Sequence, residues 1–135
     1  MICMSFLINA TNLHVGGGVQ VATSFIVELT LMPKLPLGLF VWASDAVDAN
    51  LRKLGCDVSV LPNYEVINSY GLKLLVSPLR SRLNDFDAVF TVFGPLYCWR
   101  LWGSNIIGFA QPWIIYPNNE IYSAMSWSQR FLSRL

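Results

Sequence analysis

Apolar and polar residues fall in blocks along this chain, and the blocks change period in a regular order. Residues 2–9 form a continuous apolar run of strand length. Residues 19–32 follow with helical spacing, and Pro33 closes them because a proline has no N–H to continue the ladder. A second apolar run at residues 37–43 predicts another strand. Ser44 or Asp45 can then cap a helix running to Leu54, with Gly55 as its terminator. Residues 57–61 alternate and predict a short third strand closed by Pro62 and Asn63.

Residues 65–83 have mostly helical character, broken or kinked at Gly71 and Pro78. Residues 87–93 are strongly β-prone and end at Gly94 and Pro95. Residues 105–110 give a further short apolar run, and residues 119–135 close the chain with a helical pattern. Strands alternating with helices at this spacing predict an α/β fold, a parallel sheet covered on both faces. In such sheets ligands bind outside the carboxyl ends of the strands. The expected site therefore gathers Gly16, Gly17 and Gly18 after strand one and Ser44 and Asp45 after strand two. Residues 62–64, 93–97 and 111–116 follow the later strands.

Composition sharpens this picture. The chain has 135 residues, enough for one domain with a real core; 54% are hydrophobic and only 13% charged. That is less polar surface than a soluble domain needs, yet no apolar run reaches the length of a membrane span. The amino terminus lacks the basic segment and cleavage site of a signal peptide. The expectation is a cytoplasmic protein lacking a partner domain or subunit, and the carboxyl-terminal residues 127–135 stop inside a helix-like pattern, as a fragment would. A net charge of +1 provides no basic stripe for nucleic acid. Three cysteines without CxxC spacing and a single histidine predict no metal site.

The densest chemistry lies at Asn12, His14, Gly16, Gly17, Gly18 and Gln20. Glycines at a strand-to-helix turn let backbone N–H groups approach an anion, and the first helical turn adds unpaired donors and the positive end of its dipole. The same glycines could serve only close helix–sheet packing. His14 suits an acceptor or phosphate contact, or a backbone-bonded loop histidine. Asn12 can orient a sugar hydroxyl or stabilise a turn, and Gln20 is a cleft-edge amide or a solvated one. Asp45 can bind a ribose or acceptor hydroxyl or cap a helix. Lys73, Arg80 and Arg82, set among leucines, offer a peripheral membrane contact at an inner membrane surface or a plain solvated face. The aromatics Trp99, Trp102, Trp113, Tyr116 and Trp127 can stack on sugars or fill a core.

The turn Gly16-Gly17-Gly18-Val19-Gln20-Val21 is similar to that of the N-terminal domain of family 4 glycosyltransferases. The stretches 92–95 and 108–117 resemble bacterial members that build cell-surface polysaccharide. The resemblance implies one Rossmann-like domain over residues 1–135, the acceptor-side half of a GT-B architecture. It implies retaining transfer of a hexosyl group from a nucleotide-sugar to a saccharide or lipid-linked acceptor. Gly16, Gly17 and Gly18 would contact the donor diphosphate. Asn12, His14, Gln20, Gln111 and Tyr116 would face the acceptor, with no metal and no cofactor besides the nucleotide-sugar substrate. The family's donor-binding half, with its paired glutamates, is absent from residues 1–135, so this chain alone is expected to be inactive. Two other readings remain: a dinucleotide-binding Rossmann module, which the missing third glycine of GxGxxG weakens, and a non-catalytic interaction module with an exposed apolar face.

Overall fold

The computed structural model of the protein describes residues 4–71, 77–94 and 103–108. Strand β1 (Phe6–Ala10) leads to helix α1 (Gly17–Thr30), β2 (Leu39–Ala43) and α2 (Asp45–Lys53). A 3-10 turn (Val58–Val60), β3 (Tyr64–Val66), α3 (Leu79–Leu83), β4 (Ala88–Thr91) and β5 (Ser104–Ile107) complete the described elements. The strands form one sheet in the order β3-β2-β1-β4-β5, and every neighbouring pair is parallel. This is a Rossmann-like α/β fold. The chain steps outward from β1 through β2 to β3, then returns to the other flank of β1. That reversal places a topological switch point between the carboxyl ends of β1 and β4.

Alternation along the strands divides the core in two. Ile8, Ala10, Leu39, Val41 and Ala43 pack with Val19, Ala22 and Ile26 of α1 and Val47 and Leu51 of α2. Leu7, Trp42 and Val89 point the other way, onto Phe86 and onto Leu79 and Leu83 of α3. Phe86 meets Trp42 and Phe40 edge-on, with ring centroids 5.4 Å and 5.0 Å apart. Both faces are thus covered by helix, as the strand–helix alternation predicts. The second face carries only the five residues of α3 among the described elements. An open groove of about 540 Å³ remains there between Phe40, Trp42, Tyr64 and Arg82, towards the amino ends of the strands. Arg82 lies over the Trp42 ring, 4.6 Å from its centroid, and is paired with Glu65.

The third strand is not where alternation puts it. Residues 57–61 form a 3-10 turn because Asp57 Oδ1 accepts both the Ser59 N–H at 3.0 Å and the Ser59 hydroxyl at 2.6 Å. A local side-chain bond of that kind competes with extended backbone. Pro62 and Asn63 lead into β3 instead of closing it. Asn63 O accepts from Val41 N at 2.9 Å and Asn63 Nδ2 donates to Leu39 O at 2.9 Å, which starts the pairing with β2. The predicted helix over 65–83 is also corrected. Tyr64–Val66 is strand, Ile67 N and Ser69 N bond to Ala43 O and Thr11 O at 2.8 Å and 3.0 Å, and among the described residues of this segment the α-helix is Leu79–Leu83. The other elements match their predicted positions with shifted ends. The predicted closing helix over 119–135 lies outside the described residues.

Candidate functional site

The residues 11–16 that join β1 to α1 are tied down side chain by side chain. Thr11 is buried, and its hydroxyl donates to Asn9 Oδ1 at 2.8 Å. Its one proton being used there, Ser69 Oγ is the donor in their 2.8 Å contact. Asn9 Nδ2 completes the network by donating to Thr91 Oγ1 at 3.3 Å. Next in line, Asn12 Nδ2 donates to Phe93 O at 3.0 Å, clasping the loop after β1 to the loop after β4. Its Oδ1 is buried without a partner among the described residues. Leu13 enters the core, and its carbonyl accepts the Ser44 hydroxyl.

His14 Nε2 lies 2.7 Å from Ser69 O. A carbonyl only accepts, so Nε2 carries the proton in this tautomer and Nδ1 is left as the ring's other polar atom. The ring stacks on Tyr70 with centroids 4.2 Å apart and planes within 9°. His14 therefore acts first as a strut between the loops after β1 and β3. Val15, the following residue, is 85% exposed.

The three glycines have three different jobs. Gly16 has φ 76 and ψ −159, a conformation essentially reserved for glycine, and it turns the chain into α1. A Cβ at Gly17 would meet nothing within 4 Å, so the backbone there is open to approach. Gly18 is buried, and a Cβ on it would come to 3.0 Å from the Phe93 ring and 3.1 Å from Leu13. Close packing of α1 on the loop after β4 explains that one. Among the described residues no side chain caps α1, and no acidic residue occupies its first turn. Its donors and the positive end of its dipole are left facing the switch point.

Helix α2 starts on the same edge and is built the opposite way. Ser44 is its cap, accepting from Val47 N at 3.3 Å, and Asp45 and Asp48 lie in the first turn. Asp45 is thus the first helical residue and not the cap. Its N–H donates to Asn68 Oδ1 at 3.0 Å and its carboxylate accepts from Asn68 Nδ2 at 2.5 Å. The pair leaves an exposed carboxylate and a half-buried amide beside the crevice.

Of the residues expected from sequence, Asn12, His14, Gly16 and Gly17 converge on the switch point. Gln20 is exposed one turn along α1 from Gly16 and Gly17. Gln111 and Tyr116 lie outside the described residues. Ser69, Tyr70 and Asn68 join the site unannounced, because residues 65–83 carried a helical pattern. The large ionisation shift among the described residues lies elsewhere, at Tyr64. Burial first, then its 2.9 Å bond to the Asp48 carboxylate, pushes that phenol well above its ordinary value. Among the described residues no group of three or more His, Cys, Asp or Glu side chains could hold a metal ion. No described helix is long and apolar enough to cross a membrane. The arrangement suits binding of an anion beside hydroxyl groups. Compared with family models, curated proteins and solved structures, the chain matches none.

Proposed function

We propose that the chain is a nucleotide-binding module of Rossmann type, holding phosphate at the start of α1. The observation that carries this reading is the uncapped, acid-free first turn of α1 behind an open Gly17, at the topological switch point. An anion there gains the backbone donors and the helix dipole together. Asp45 and Asn68, at the ends of β2 and β3, supply an acceptor and an amide for ribose hydroxyls.

A second reading is favoured by one detail. The six residues 11–16 stand between β1 and α1, whereas a dinucleotide fingerprint puts its glycines directly at the strand end. A pinned loop with exposed glycines beyond it fits a turn that reaches across a cleft to a ligand shared with another domain. That is the acceptor-side half of a GT-B, family 4 type glycosyltransferase. Gly16 and Gly17 would meet the diphosphate of a nucleotide-sugar, the acceptor would lie over Asn12, His14 and Gln20, and the donor half would belong to a further domain or subunit.

One titration separates the readings. Amide resonances of the purified chain are followed while UDP, a UDP-sugar or NAD is added. Shifts centred on Gly16 and Gly17 with UDP and its sugar, and none with NAD, support the transferase half. Shifts with NAD alone support the dinucleotide module. No shift at Gly16 or Gly17 with any of the three overturns the nucleotide-binding reading.

A further inference from the structure

Tyr70 is an exposed aromatic ring at the carboxyl edge of the sheet, and it is held in place from behind. It is 57% exposed, yet it is stacked on His14 with the two planes within 9° of each other. His14 is fixed in turn by its bond to Ser69 O. Ser69, the neighbour of Tyr70, is buried and tied twice to Thr11, through its N–H to Thr11 O and through its hydroxyl. Thr11, His14, Ser69 and Tyr70 thus form a closed unit that joins the loop after β1 to the loop after β3. A ring stacked on one face and still more than half exposed turns its other face to solvent. Left in water, that face forgoes the burial through which aromatic rings usually stabilise a fold.

Its place along the sheet gives this ring a context. Gly16 and Gly17 follow β1, Asp45 follows β2, and Asn68 and Tyr70 follow β3, and these three strands are neighbours. Adjacent strands lie about 4.8 Å apart, so the three groups are spread over about 10 Å of one edge. Open backbone donors come first, then a carboxylate paired with an amide, then an aromatic face. A nucleotide presents its parts in the same order, phosphate, ribose and base.

We propose that Tyr70, backed by His14, is the platform on which the base of the bound nucleotide stacks. The inference rests on the nucleotide-binding reading above and adds to it the part of the ligand that the loop after β3 recognises. The His14–Tyr70 pair is a parallel stack. A flat base continues it as a third layer, whereas a puckered sugar ring meets it only through C–H bonds. Because His14 and Ser69 already hold this unit together, little freedom is lost when a ligand settles on it. Stacking reads only the π-face, so purine and pyrimidine are both accepted.

NMR titrations of the purified chain with AMP, UMP and ribose 5-phosphate test this, the last carrying phosphate and ribose without a base. All three should shift the Gly16 and Gly17 amides, and only AMP and UMP should move the ring protons of Tyr70 and His14. Tyr70→Ala should weaken AMP and UMP at least about fivefold, the lower range for one base on one aromatic ring, and leave ribose 5-phosphate unchanged. Tyr70→Phe keeps the ring and should bind all three as the native chain does. An unchanged thermal midpoint confirms that each variant is folded. Shifts at Gly16 and Gly17 with still ring protons, or with undiminished AMP binding by Tyr70→Ala, overturn the platform and leave the nucleotide-binding reading standing. No shift at Gly16 or Gly17 with any of the three overturns both. Movement of the Tyr70 and His14 rings with glucose and not with AMP or UMP also overturns the platform, and assigns the ring to a saccharide.

Discussion

Two helices begin at the carboxyl edge of this sheet, and they begin in opposite ways. At α2 the protein satisfies its own terminus: Ser44 accepts from the backbone, and Asp45 and Asp48 answer the dipole. At α1 it supplies none of this, and Gly16 turns the chain without a side-chain cap. Serine and aspartate are good helix starters, typically worth about 0.5–2 kcal/mol over alanine. At the cap position itself the positive φ of Gly16 excludes them, but at Gly17, the first helical residue, a Cβ has open space and a carboxylate could answer the dipole. The same structural task, solved once with self-satisfaction and once without it, is what supports the proposal of an anion site at the second terminus. The first terminus is closed to an anion by its own carboxylates.

Three substitutions break or sharpen that contrast. Gly18→Leu should have the largest effect. Its side chain has no room between Phe93 and Leu13, so thermal or urea unfolding should show a loss of about 2–3 kcal/mol from overpacking. Ser44→Ala removes the cap of α2 together with the hydroxyl that serves Leu13 O. The expected loss is about 1–2 kcal/mol in urea unfolding, with nucleotide binding impaired because the loop after β1 loses a support. Gly17→Asp has the smallest effect on stability and the most telling sign. A carboxylate in the first turn should stabilise α1 by about 0.3–1 kcal/mol while abolishing nucleotide-induced shifts at Gly16. A stabilised variant that binds nucleotide as before would show that α1 is an ordinary helix start.

Much of this contrast was legible in the residues. Ser44 and Gly55 bracket α2 by their chemistry, and the glycine cluster marks the start of α1. The alternation of continuous apolar runs with helical spacing predicts the parallel sheet. Where sequence reasoning failed, the cause was local. Val58 and Val60 alternate like a strand, but Asp57 is close enough in sequence to Ser59 to fold the backbone into a turn. The real β3 is three residues long and mostly exposed, with Glu65 at its centre. It exists because Val41, Trp42 and Ala43 offer it a ladder, and no propensity announces that. The struts of the crevice were illegible for a related reason. Ser69 reaches Thr11 and His14 across more than fifty residues, a contact created by topology alone. The division of labour among the three glycines likewise depends on Phe93, which lies far along the chain from all of them.

The length of α1 sets the distance between the two ends of the molecule. Its 14 residues span about 21 Å at 1.5 Å per residue. Mobile ions cut an electric field to a fraction within each roughly 8 Å at physiological ionic strength. The charges at the far end of α1, Glu28 and Lys34 among them, therefore stand about two such lengths from Gly16 and Gly17. Their fields are largely extinguished at the glycine turn. A polyanion arriving there would feel the first turn of α1 and little of the charge at its other end.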